Sequence, residues 1–159
     1  MIKLYRFTPS AKEYWETWQD DHDSYTVHWG VLGTRGEQKT IVSSLWRKAE
    51  TVVGKERDRM IADGFAEIEQ DAHAVMLVEY AVEGMGSAAQ LDKRHRLEER
   101  LGETLGWTGL GACDGGSIGS GTMEACVFVV DADLAKQVIE ADLAGTEFAD
   151  YERIYEEAG

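Results

Sequence analysis

The run SYTVHWGVLGTRGEQKTIV, residues 24–42, leaves this chain few ways to fold. Tyr25, Val27, Trp29 and Val31 alternate with Thr26, His28, Gly30 and Leu32, so the two sets point to opposite faces of an extended strand. Gly33-Thr34-Arg35-Gly36 has the composition of a tight turn, and Glu37–Val42 returns as a β-rich partner. An antiparallel hairpin follows, and a hairpin needs further strands and a helix to bury its apolar face.

The neighbouring segments supply them. Ile2–Phe7 and Glu13–Gln19 are short β-rich runs, the second followed by the polar turn Asp20-Asp21-His22-Asp23. Ser43 or Ser44 is placed to cap a helix with Ala49, Val52, Val53, Met60 and Ile61 as its apolar stripe; Gly64 ends it and Phe65 packs beyond. From Ala74 the order changes. Ala74–Val82 reads as a strand broken by Gly84-Met85-Gly86. Ser87 with Gln90 has capping-box form and opens a helix to Leu105 that stops at Gly106. Trp107–Ala112 and Thr122–Val130 read as strands. Asp131 or Asp133 caps a helix over Leu134–Leu143, Gly145 ends it, and Tyr151–Tyr155 reads as a last strand. This β-α-β-β-α-β order is that of a ferredoxin-like sandwich. The expected fold is α+β in two parts: residues 1–70, an antiparallel sheet with one packed helix, and residues 71–159, a ferredoxin-like domain. The seam lies near Glu67–His73.

Charge divides at the same place. Residues 1–70 carry 10 Lys+Arg and 12 Asp+Glu, a net of −2; residues 71–159 carry 6 and 18, a net of −12, which together give the −14 of the chain. Phosphate backbones are bound by Lys and Arg, so a nucleic-acid partner would have to meet the near-neutral first part, and a basic protein partner fits the balance better. The stretch MIKLYRFTPS has no apolar signal-type core, and no run approaches the roughly 20 apolar residues of a membrane span, so a cytoplasmic chain without membrane contact is expected. Cys113 and Cys126 lack CxxC spacing and read as reduced thiols.

Motifs for catalysis are missing from the string. GACDGGSIGSGT, residues 111–122, is glycine-rich, but a strand follows it and no lysine closes it, unlike a phosphate-binding loop. It reads as a flexible connection, with Asp114, Ser117 and Ser120 as possible contact residues. Asp20–Asp23 lacks the spacing of a calcium loop, and His28, His73 and His95 lack zinc spacing, so neither a metal nor another cofactor is expected. No catalytic residue is assigned.

The first part resembles the WGR domain, a small module found beside the catalytic regions of poly(ADP-ribose) polymerases and in bacterial proteins. The resemblance spans about Lys3 to Ile68 and rests on KLYRF, on VHWGVLGTRGEQK and on the closing Gly64-Phe65. Trp29, Gly30, Gly33 and Gly36 match the family pattern. Val31 stands where the family has its namesake arginine, and Glu37 where it has a glutamine. In the polymerases the module helps to grip DNA ends and to pass interdomain contacts, so the resemblance implies a fold of this kind and a binding role. Trp29 has two readings, a core indole packed on the helix or an aromatic plate at the hairpin end. The site expected on the second reading is Trp29, Gly30, Arg35, Gly36, Lys39 and Arg47. The functional expectation is a non-enzymatic binding module that contacts a protein, or a nucleic acid, through this hairpin. The alternatives are an acidic regulatory protein masking a basic partner, and a small-ligand binder or enzyme using residues 111–121.

Overall fold

A computed structural model describes residues 1–158. The chain divides into two compact units, Met1–Glu69 and Gln70–Gly159. Each contains a four-stranded antiparallel sheet, and the three α-helices make the fold α+β.

In the first unit, β1 (Ile2–Phe7), β2 (Lys12–Asp21), β3 (Ser24–Val31) and β4 (Glu37–Val42) pair in chain order as a meander. The helix α1 (Ala49–Ala62) lies against one face. Leu4, Trp15 and Val27 project from β1, β2 and β3 onto that side and meet Val53 of the helix and Phe65 just after it. The expected stripe is partly corrected: Ala49 and Val53 are buried, but Ile61 is 50% exposed. Residues 49, 53, 56 and 60 follow one helical face, and Ile61 falls about 100° away from Met60. At the N-terminus the helix begins at Ala49, and Ser43 Oγ accepts the Ala49 N–H at 2.9 Å from across an intervening turn. At the other end, Phe65 N donates to Met60 O and Gly64 N to Ile61 O, the pairing of a Schellman motif.

The second unit contains β5 (Ala74–Ala81), α2 (Ala88–Trp107), β6 (Gly111–Gly119), β7 (Thr122–Val129), α3 (Ala132–Leu143) and β8 (Arg153–Glu156). The strand order β6-β7-β5-β8 is the ferredoxin-like arrangement, each βαβ half split by a strand of the other. Met76, Val78, Met123, Ala125 and Val127 face Leu97, Leu101 and Leu105 of α2 and Ile139 of α3 in the core. Ser87 and Gln90 close a reciprocal capping box, and Asp131 accepts the Leu134 N–H.

Two sequence expectations fail here. The helix α2 continues through Gly106 and closes at Gly109, where Leu110 N donates to Leu105 O. Trp107 is therefore helical, and the next strand starts later than expected. Residues 111–119, read as a flexible connection, are the strand β6. Its glycines are accommodated by pairing: Gly116 lies so close to the Glu124 carbonyl of β7 that a Cβ would collide with it. Only Ser120-Gly121 remains as loop, with φ of 53° and 87°, the two-residue turn whose twist suits a hairpin.

Candidate functional site

The segment joining β3 to β4 folds back over the sheet face opposite α1. Leu32 N donates to Lys12 O at 2.8 Å, which starts the fold-back, and the Tyr14 hydroxyl donates to Thr34 O at 2.7 Å. His28 Nε2 lies 2.6 Å from Arg35 O and 3.2 Å from the Tyr14 oxygen. Tyr14 has one proton and it goes to Thr34, so towards His28 it accepts; the proton on the imidazole is at Nε2 and is donated to Arg35 O. The other nitrogen, Nδ1, is 2.7 Å from Glu16 Oε1, a contact that needs a second proton between them. Lys3 Nζ, 3.8 Å from Glu16 Oε2, adds positive charge on the far side. His28 is 1% exposed and Glu16 5%. Burial, with Glu16 nearby, pushes the Tyr14 phenol far above its ordinary range and keeps it a donor.

Glycine is required at the crossing. Gly36 has φ of 61°, and a Cβ there would run into the Trp29 carbonyl; a Cβ on Gly30 would stand 2.7 Å from Gly36 Cα. The Trp-Gly pair and the later glycine are therefore one device: the backbone of residue 36 lies on that of residue 30. The buried Tyr14–His28–Glu16 set then holds the loop by its carbonyls, and the Arg35 side chain is left exposed.

Trp29 is on the α1 side, half-buried against the Leu4–Trp15–Val27 core. Lys39 Nζ sits 5.5 Å from the centre of its ring and is paired with Glu56 of α1 at 2.9 Å. The indole is thus packed below and covered by a cation.

The hairpin residues do not all converge. Trp29, Gly30, Arg35, Gly36 and Lys39 belong to the loop end of the hairpin, whereas Arg47 follows Val42 at the other end of β4. Five residue steps of strand, roughly 17 Å, separate the two ends. At the Arg47 end, Ser44 N donates to Arg47 O at 2.8 Å and closes a four-residue turn. Leu45 and Trp46 stand at its tip, 96% and 94% exposed. Sequence reasoning passed over them; the signal was the apolar pair inside the polar segment SSLWRK.

In the second unit Asp114, Ser117 and Ser120 are exposed along β6 and its turn. Cys113 and Cys126 are half-buried free thiols, and burial pushes both above the ordinary range. On the sheet face turned away from α2 and α3, Glu79 and Glu124 are direct cross-strand partners. Burial, reinforced by Glu79, raises the Glu124 carboxyl. Glu79 in turn accepts from Arg153 Nη2 at 3.1 Å. The Asp20–Asp23 turn is internally bonded: Asp21 accepts the Asp23 N–H at 2.8 Å, which holds its carboxyl below the ordinary range. Among the described residues no group of three or more His, Cys, Asp or Glu is placed to hold a metal, and no helix is long and apolar enough to cross a membrane.

Among known proteins, no family model matches the chain, and neither a curated protein nor a solved structure matches it.

Proposed function

We propose that the chain acts by binding rather than by catalysis, as a WGR-like module followed by an acidic ferredoxin-like unit, and that the loop end of the β3–β4 hairpin is its contact surface. One observation carries the reading. A buried hydrogen-bonded network immobilises a surface loop, and the loop holds out the exposed Arg35. With the loop backbone already fixed, only the Arg35 side chain has to be ordered when its guanidinium meets a carboxylate or a row of carbonyls. Lys39 lies over Trp29 on the α1 side and is paired with Glu56, so the charge of this contact is that of Arg35. The partner is a protein that offers Arg35 a local carboxylate or backbone carbonyls on a surface not itself strongly acidic, since a net charge of −14 repels polyanions at long range. We place the encounter in the cytoplasm, where Cys113 and Cys126 remain thiols.

Cross-linking from cells, followed by identification of the bound protein, tests this with the Arg35→Glu variant as comparator. A partner retained at equal strength by Arg35→Glu rules the hairpin out as the contact. Fluorescence anisotropy with a short DNA duplex at about 0.15 M salt arbitrates the partner class, because tight binding there would move the reading to nucleic acid.

A second reading has its own support in the second unit. Glu79 and Glu124 face one another across β5 and β7, and a cation from a partner would relieve their repulsion. On that reading the acidic unit masks a basic protein. An oligolysine titration would show saturable binding that Glu124→Gln weakens.

A further inference from the structure

We infer that two copies of this chain associate by exchanging Trp46: the turn before α1 of each copy inserts its indole into the pocket between sheet and helix of the other. The pocket belongs to the first unit and has a volume of about 260 Å³. Its walls are Ile2, Trp18 and Tyr25 from the strands and Val53, Gly54 and Arg57 from α1. Sites for whole small molecules span about 300–1,000 Å³. This one is smaller and matches one large side chain better than a metabolite.

The same unit supplies a side chain of that kind. Trp46 and Leu45 project into solvent from a turn closed at both Ser44–Arg47 amides, with Val42 beside them 64% exposed. A single exposed apolar residue needs no explanation, but a nearly naked Leu-Trp pair on an ordered turn does. The tip and the pocket share one end of the unit. Trp46 stands three residues before Ala49, where α1 begins, and Glu50 of its first turn lines the pocket. Two neighbouring, complementary features on one surface are what a two-fold contact requires, because each copy then gives and receives the same element.

Charge favours a copy of this chain over a membrane or a nucleic acid. Arg47 and Lys48 flank the tip. At the pocket itself Glu50 is offset by Arg57, and the acidic excess lies in the β2–β3 turn beside it, where Asp21 and Asp23 are exposed between the lining residues Gln19 and Tyr25. Docking the tip of one copy on the pocket of the other sets the two cations beside this acidic turn, twice over. A phosphate surface would meet the same acidic turn unfavourably. Two buried tryptophans and two leucines, with the surfaces they cover, reach the order of 1,000 Å², which is the lower end of specific interfaces and makes the association weak.

Sedimentation velocity on the whole chain from about 2 to about 200 µM tests the inference. The wild type shifts from monomer to dimer across this range. Trp46→Ala removes the indole without touching the fold, and raises the dissociation constant at least about 30-fold, as loss of a central aromatic anchor does. Gly54→Leu fills the pocket instead. A Cβ there meets nothing nearer than the Arg57 guanidinium at 4.0 Å, so the helix accepts it, and dimerisation is again lost. The two variants mixed recover part of the association, since one tip and one pocket remain intact between them. Arg35→Glu, at the far end of β4, leaves self-association unchanged, so this contact and the hairpin contact fail separately. A wild type that stays monomeric throughout overturns the inference. So does a Trp46→Ala or Gly54→Leu protein that dimerises like the wild type, or a mixture that recovers nothing. A monomeric wild type whose tryptophan emission shifts on vesicles of anionic phospholipid would assign the tip to a membrane instead.

Discussion

Both units turn one sheet face to helices, but they use the opposite face differently. In the first unit that face is closed by its own hairpin loop, and the polar groups beneath, Glu16 and His28, are buried and bonded to one another, with His28 bonded on to the loop backbone. In the second, β6 and β7 are joined by a two-residue turn that cannot fold back, so Glu79 and Glu124 stay side by side, with Arg153 and the Tyr155 hydroxyl of β8 bonded to Glu79. The difference teaches that loop length decides what a titratable residue on a sheet does. Under a long loop it becomes a fastening; beside a short one it stays surface chemistry.

Breaking the fastening has the largest expected effect. His28→Leu strands the Glu16 carboxylate under the loop with Lys3 as its remaining cation, and removing one member of a buried pair costs about 3–5 kcal/mol. Urea unfolding followed by tryptophan fluorescence reports it, because Trp15, Trp18, Trp29 and Trp46 lie in the first unit and only Trp107 in the second. A loss below about 1 kcal/mol would make the network a surface feature like that of the second unit.

Next comes the crossing of the two backbones. Gly36→Ala forces a Cβ against the Trp29 carbonyl at positive φ, for a loss of about 2 kcal/mol in the same assay. An unchanged midpoint would show that the loop lifts away at no cost, and Arg35 would no longer be rigidly held. The short hairpin should respond in the other direction. Ser120→Asn places the residue favoured in a two-residue turn of this type at φ of 53° and stabilises the second unit by about 0.5 kcal/mol, read by hydrogen exchange at the β6 and β7 amides.

The smallest effect sharpens the electrostatic contrast. Burial and Glu79 raise the Glu124 carboxyl, so the folded state holds this proton more tightly than the unfolded chain. The stability that goes with that proton is complete at low pH and is lost as pH rises through the folded-state value. Glu124→Gln therefore stabilises at neutral pH by a few tenths of a kcal/mol, in line with relief of a like-charged cross-strand pair on a partly solvated face. The gain vanishes as pH falls below the glutamate range. A gain that persists under acid would point to packing rather than charge.

Much of this architecture was legible from local pattern. The alternation over residues 24–32, the capping box of Ser87 and Gln90 and the Gly64-Phe65 helix stop each depend on neighbours within a few positions. The misreadings came where a distant strand decided the matter. Glycines at 111–119 weaken β propensity, and only pairing with β7 makes that stretch a strand. His28 looked like one more residue on the polar side of a strand, since nothing nearby announces that a loop will cover it.

Spacing of apolar, glycine and capping residues determined on its own that there would be two sheets, where the helices would stop and how acidic the second part would be. Tertiary structure alone decided that Trp29 is packed beneath a lysine while Trp46 stands free, and that Glu16 and His28 serve as an internal fastening. The physical reason is range. Backbone conformation and net charge follow from adjacent residues, whereas burial and hydrogen-bond partnership depend on which distant segment arrives overhead.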